Sequence, residues 1–193
     1  PDHTNAYVLL GNIYVRQRRN ADAVAIYQEG LGTDPDRVDL YRKLAIAHAD
    51  DGRYSEAIKT LQQALERAAG DPAIHYNLGV IYERQAQYDK ASDAFIRTTE
   101  LDTTYSDAYF RLGHIQSKQG QVAVAASNFA RVIRLRPDYA PPYIGLGQIF
   151  VQQGRLDEAE RLFKQATTID PFAAEAYHRL ATLFLRQGDQ ERG

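Results

Sequence analysis

The chain contains no cysteine. That absence excludes disulfide staples and cysteine-ligated metal, although it does not fix the redox compartment. No apolar run reaches the length of a membrane span, and the residues carry no signal peptide, so direct membrane insertion is not expected. The cytoplasm is the expected compartment ahead of the periplasm. Charge of one sign is also missing. A formal net charge of −2 gives no global attraction to nucleic acid, and the small basic cluster Arg16, Arg18 and Arg19 reads as a solvated helix end. There is no phosphate-binding glycine loop. Pro1 is not a start residue, so the N-terminus is expected to be processed or cut from something longer.

What is present is a fixed period. Leu10-Gly11 returns as Leu78-Gly79, Leu112-Gly113 and Leu146-Gly147, with alanine replacing glycine in Leu44-Ala45 and Leu180-Ala181. Neighbouring members of the series are all 34 residues apart, which marks a repeat protein rather than a single globular core. Three residues before each glycine or alanine stands Tyr7, Tyr41, His75, Tyr109, Tyr143 or Tyr177. Three after it stands Tyr14, His48, Tyr82, Gln116, Phe150 or Phe184. Further on come Ala23, Ala57, Ala91, Ala125 and Ala159, then Tyr27, Leu61, Phe95, Phe129 and Phe163. Pro35, Pro137 and Pro171 close three of the units.

These columns resemble the tetratricopeptide repeat (TPR) family, whose helix–turn–helix unit carries Trp, Leu-Gly, Tyr, Ala, Phe and Pro in this order. Tyrosine stands in for the first tryptophan. The resemblance divides the chain into units 4–37, 38–71, 72–105, 106–139 and 140–173, followed at 174–188 by the first helix of a sixth. Together they form one continuous repeat domain. Two units depart from the pattern. Ala69 stands where proline is expected, with Asp71-Pro72 arriving late, and Thr103 occupies that place in the next unit; both imply local changes of turn. The implied fold is all-α, a right-handed α-solenoid of stacked antiparallel helix pairs.

Elementary patterning leads to the same units. Tyr143, Leu146, Gly147, Ile149 and Phe150 follow three-and-four spacing and make one helical stripe. Gly52, Gly120, Gly154 and Gly188 come where a left-handed C-terminal cap favours glycine. Ser55, Asp89 and Asp157 are expected as N-caps of the following helices. Small residues at the Gly/Ala columns let paired backbones approach, and stability comes from stacking on neighbours.

The resemblance also implies a function, the binding of a protein or peptide along a concave face lined by the first helices. Its columns would be Val8, Arg42, Tyr76, Phe110, Ile144 and His178; then Leu9, Lys43, Asn77, Arg111, Gly145 and Arg179; then Asn12, Ile46, Val80, His114, Gln148 and Thr182. The expected binding residues are Asn12, Arg42, Lys43, Tyr76, Asn77, Phe110, Arg111, His114 and Gln148. Their basic and amide groups suit carboxylates and backbone, and their aromatics suit apolar side chains. The convex face and the chain ends are the competing surfaces. In some TPR proteins a five-residue carboxylate clamp holds the acidic C-terminus of heat-shock chaperones. Arg42, Asn77 and Arg111 match that clamp, but Ile46 replaces its first asparagine and Asp107 stands in place of a lysine. Both changes oppose a terminal carboxylate.

No catalytic constellation is legible. His3, His48, His75, His114 and His178 are scattered over separate units, with His48 and His75 in aromatic columns as core substitutes. Neither a metal nor a cofactor is expected. The reading is a non-catalytic interaction scaffold. The alternatives are a substrate-recruiting or regulatory arm of a larger enzyme, such as a protein-modifying sugar transferase, and an assembly subunit of a bacterial envelope, secretion or polysaccharide-export machine. At the far end Tyr177, Leu180, Ala181 and Phe184 are expected to form an open stripe. It implies a boundary inside a longer protein or an end contact, including a homodimer.

Overall fold

The computed structural model describes residues 2–190. The chain divides into two compact units, Pro1–Thr103 and Thr104–Gly193. The first holds α1 (Asp2–Arg16), α2 (Asn20–Thr33), α3 (Val38–Asp50), α4 (Tyr54–Arg67), α5 (Pro72–Arg84) and α6 (Tyr88–Leu101). The second holds α7 (Ser106–Lys118), α8 (Val122–Leu135), α9 (Pro141–Gln152), α10 (Leu156–Ile169) and α11 (Ala174–Gln190). Among the described residues there is no strand. Each first helix packs on the second helix of its pair, and within each unit that second helix packs on the next first helix.

What brings the two helices of a pair together is a ring laid on a glycine. A methyl group on Gly79 would lie 2.6 Å from Phe95 Cε1, one on Gly113 2.8 Å from Phe129 Cε1, and one on Gly147 2.5 Å from Phe163 Cε1. Gly11 meets the Tyr27 ring in the same way. Tyr27, Phe95, Phe129 and Phe163 are all essentially inaccessible to water, and each such burial contributes on the order of 2–3 kcal/mol. The second pair carries the exception that explains the rule. There Ala45 replaces glycine, and the residue opposite it is Leu61, both fully buried in one cluster. A leucine leaves room for the methyl; a ring does not.

The first helices end in a uniform way. Gly52 donates its N–H to Ala49 O at 3.1 Å while Arg53 N reaches back to His48 O at 2.8 Å. Gly120 with Gln121, and Gly154 with Arg155, repeat this pair of bonds, which is a Schellman turn. Gly52, Gly120 and Gly154 have φ of 76°, 76° and 75°. Arg18 and Ala86 occupy the same turn at φ 59° and 57°, where a Cβ is unfavourable. Gly188 differs from expectation, since it lies inside α11 rather than capping it. The N-cap assignments also need correction. The caps are Arg53, Gln87 and Arg155, without side-chain cap bonds. The turn hands the chain directly to the next helix, so Ser55, Asp89 and Asp157 fall inside its first turn.

Second helices are joined to the next pair by a hydroxyl. Tyr41 donates to Pro35 O at 2.9 Å and Tyr143 to Pro137 O at 2.8 Å. Where Ala69 replaces proline, His75 Nε2 lies 3.4 Å from Ala69 O, so the link depends on the carbonyl rather than on proline. The late Asp71-Pro72 has its own task there. Asp71 caps α5 by accepting from Ala73 N at 2.8 Å, with Pro72 at the first helical position. His48 is buried as expected of a core substitute. Burial first, and then the Arg53 guanidinium, pushes its pKa below the ordinary 6.5.

Three outcomes are expected. Gly79→Ala should lower stability by about 1–3 kcal/mol by overpacking against Phe95. Adding Phe95→Leu should recover part of that loss, a favourable coupling of about 1 kcal/mol in a denaturant double-mutant cycle. Ala86→Gly should raise stability by about 0.5–1 kcal/mol and Gly120→Ala should lower it similarly, since relief of the left-handed strain exceeds the added chain entropy. The unfolded chain protonates His48 near pH 6.5 while the folded chain resists it. Its stabilising contribution is thus fully present above that pH and lost as pH falls through the lowered folded value. His48→Phe, copying Phe150, is expected to show a smaller fall in thermal midpoint between pH 7.5 and pH 5 than the parent chain.

Candidate functional site

First helices do more than cover their partners. In the first unit α3 packs on α5, and in the second unit α9 packs on both α7 and α11. Side chains at equal positions on successive first helices therefore stand beside one another, one repeat apart in sequence. These are the columns in which the expected binding residues lie, and each unit presents its own set.

In the first unit Asn12 is a junction. Its Oδ1 accepts from Tyr27 OH at 3.0 Å and from Lys43 Nζ at 3.1 Å, joining α1 to α2 and α3. Burial pushes the Tyr27 pKa up to about 12, so that donor stays protonated. Arg42 pairs with Asp71 at 3.5 Å, and its Nε is buried without a hydrogen-bond partner. Lys43 and Arg42 therefore differ, one held by a neutral amide and the other by a carboxylate. Tyr76 sits half-buried with its ring 5.6 Å from that of Phe95, and Asn77 beside it is also half-buried. Ile46 is exposed on α3, in the same column as Asn12.

In the second unit Phe110 is part of a ring cluster. It lies 4.5 Å from His114, 5.4 Å from Tyr139 and 6.0 Å from Phe129, all tilted or edge to face. His114 is itself 5.2 Å from Phe129 and exposed to solvent, while Arg111 is half-buried. Gln148 on α9 follows His114 in its column, one repeat later. Its Nε2 donates to Glu175 Oε1 at 3.0 Å, the same oxygen that accepts from Arg179 Nη2 at 3.2 Å. Ile144 and Gly145, expected on the open columns, are buried. On α11, Tyr177 and Phe184 are about half exposed, at 51% and 48%. Leu180 between them is half-buried and packs against the core cluster that includes Tyr143, Phe163 and Leu183.

A feature that the sequence columns did not isolate is a cavity of about 460 Å³ in the second unit. α9 contributes Gln148, Val151 and Gln152 to it, α10 contributes Phe163, and α11 contributes Arg179, Thr182 and Leu183. Gln148, Arg179 and Thr182 stand in the columns already considered; Val151 and Gln152 lie one turn further on. No group of three or more histidine, aspartate or glutamate side chains able to hold a metal occurs among the described residues. Nor is any described helix long and apolar enough to cross a membrane.

Comparison with known proteins agrees with this architecture. Tetratricopeptide repeat family models match residues 6–39, 48–112 and 116–184. No curated protein sequence matches the chain. Among solved structures it is similar to MamA, at 26% identity over 86% of this chain and 96% of that one, with a TM-score of 0.73. It is similar to YrrB, described as a TPR protein with an unusual peptide-binding site, at 23% identity over 89% of each chain and a TM-score of 0.68. The fold of pilF from Pseudomonas aeruginosa overlays 100% of this chain and 93% of its own at a TM-score of 0.81, although identity is only 17%. Helix pairs repeating every 34 residues, glycines under rings and these family matches have one explanation. The chain is an all-α solenoid and belongs to the tetratricopeptide repeat family.

Proposed function

We propose that the chain is a non-catalytic scaffold whose first-helix surfaces bind segments of other polypeptides. In the first unit that surface is Asn12, Arg42, Lys43, Tyr76 and Asn77. In the second it is Phe110, Arg111, His114 and Gln148. Each unit carries its surface independently.

The observation that supports the reading most is the ring pair of half-buried Phe110 and exposed His114 beside half-buried Arg111. Aromatic and arginine side chains standing outside a core are the groups that anchor protein interfaces. In the first unit Lys43 donates to the uncharged Asn12, so its charge is available to a ligand carboxylate. Arg42 is already paired with the Asp71 carboxylate. Stacked first helices also place these side chains at regular intervals, which suits an extended polypeptide. A protein-interaction role fits the family, and a peptide-binding site is named for YrrB.

The test is affinity capture from the native source with the whole 193-residue chain as bait. Lys43→Ala and Tyr76→Ala probe the first unit; Phe110→Ala and Arg111→Ala probe the second. Each is expected to weaken retention of the captured polypeptide by about tenfold where its unit makes the contact. Circular dichroism must show that helix content is kept. Undiminished capture by folded variants of both units would overturn the reading.

A further inference from the structure

The cavity between α9 and α11 has a charge balance unlike that of Lys43 and Arg42. Its floor is apolar, formed by Val151 and by the almost fully buried Phe163 and Leu183. Its α9 wall comes from a helix without a single acidic or basic residue, and offers Gln148 and Gln152. Among the described residues the α11 wall contributes one cation, Arg179, and that cation is paired with Glu175. Glu175 Oε1 accepts from Arg179 Nη2 at 3.2 Å and from Gln148 Nε2 at 3.0 Å, so a carboxylate stands beside the cavity with one oxygen engaged by both.

Two polar atoms remain turned to other uses. Arg179 Nε is buried and has no hydrogen-bond partner. Thr182 Oγ1 donates its own proton to His178 O at 2.9 Å, which leaves its lone pairs as acceptors. The Arg179 side chain as a whole is 42% exposed, so a rotation that turns Nε–H into the cavity lets a ligand oxygen relieve an unfavourable buried donor. The Thr182 hydroxyl lines the same cavity and accepts from a ligand N–H. One acceptor and one donor in one cavity suit a peptide unit or a side-chain amide.

We infer that this cavity is a subsite for an uncharged polypeptide segment. It takes an aliphatic or aromatic side chain onto Phe163 and Leu183 and a neighbouring amide onto Arg179 Nε and Thr182 Oγ1. A carboxylate is disfavoured, because Glu175 is close and its partner Arg179 has no uncompensated charge to offer. The inference rests on the proposed binding of polypeptides to first-helix surfaces, and adds what the second unit selects. The volume of about 460 Å³ lies in the range of formed ligand pockets, enough for a large side chain with its adjoining backbone.

The test uses two synthetic probes on the whole isotope-labelled chain, followed by amide chemical shifts. One is an acetylated and amidated hexapeptide of alternating leucine and glutamine; the other has glutamate at each glutamine. The neutral peptide is expected to shift amides of Gln148, Val151, Arg179 and Thr182 saturably, and the acidic one to bind about fivefold more weakly or worse. Arg179→Lys keeps the charge beside Glu175 but lacks the Nε–H. It is expected to lose about fivefold in affinity for the neutral peptide. Equal or tighter binding of the acidic peptide, or an Arg179→Lys variant that binds as well as the parent, would overturn the subsite. Shifts confined to other first-helix residues such as Lys43 and Arg111 would remove it while leaving the broader function standing. No shift anywhere at millimolar peptide would count against both.

Discussion

Everything in this fold depends on a ring placed against a backbone without a Cβ. At Gly79, Gly113 and Gly147 the opposing phenylalanine lies so close that a methyl group would collide with it. Dispersion is short-ranged, so a ring resting on a helix backbone gains contacts that a gap of one methylene would forfeit. The pairing also works as a rule of complement. Glycine goes with a ring, and alanine goes with leucine, as Ala45 and Leu61 demonstrate inside the same chain. The separation of the two helices is thereby set by a pair of residues sixteen apart in sequence, and the surface columns inherit their spacing from it.

A second constraint fixes how the chain turns. The Schellman turns after α3, α5, α7 and α9 stop one helix and start the next within three residues. No side chain is needed for this, which is why Arg53, Gln87 and Arg155 stand at N-cap positions that usually favour Ser, Thr, Asp or Asn. The backbone alone supplies the register. Strain at Arg18 and Ala86 follows from the same necessity, since the turn demands a positive φ whatever residue occupies it.

Much of this was legible in the sequence, and the reason is physical. Columns that touch backbone or fill a shared core repeat, because the same contact recurs in every unit; Leu-Gly, the small alanines and the aromatic column could be read directly. What could not be read is where a contact belongs to two units at once. Leu180 looks like part of an open stripe when its own helix is considered, yet it packs on residues of the preceding pair. Gly188 has the composition of a cap, but capping needs the following residues to fold back, and α11 runs on to Gln190. Ser55, Asp89 and Asp157 have the chemistry of caps in positions that the turn has already passed.

The candidate site divides along the same line. Which residues stand on the first-helix columns follows from period and phase. What each can still do depends on its neighbours, and these come from other units of the chain. Lys43 and Arg42 are adjacent and both basic, but one meets the neutral Asn12 and the other the carboxylate of Asp71, so only Arg42 has a counter-charge beside it. Gln148 reads as a free amide until Glu175 is placed against it. What these surfaces present therefore depends less on the list of exposed side chains than on the pairs they form across successive first helices. In the first unit the Lys43 ammonium meets a neutral amide, and in the second the Arg179 guanidinium meets Glu175 above an apolar floor.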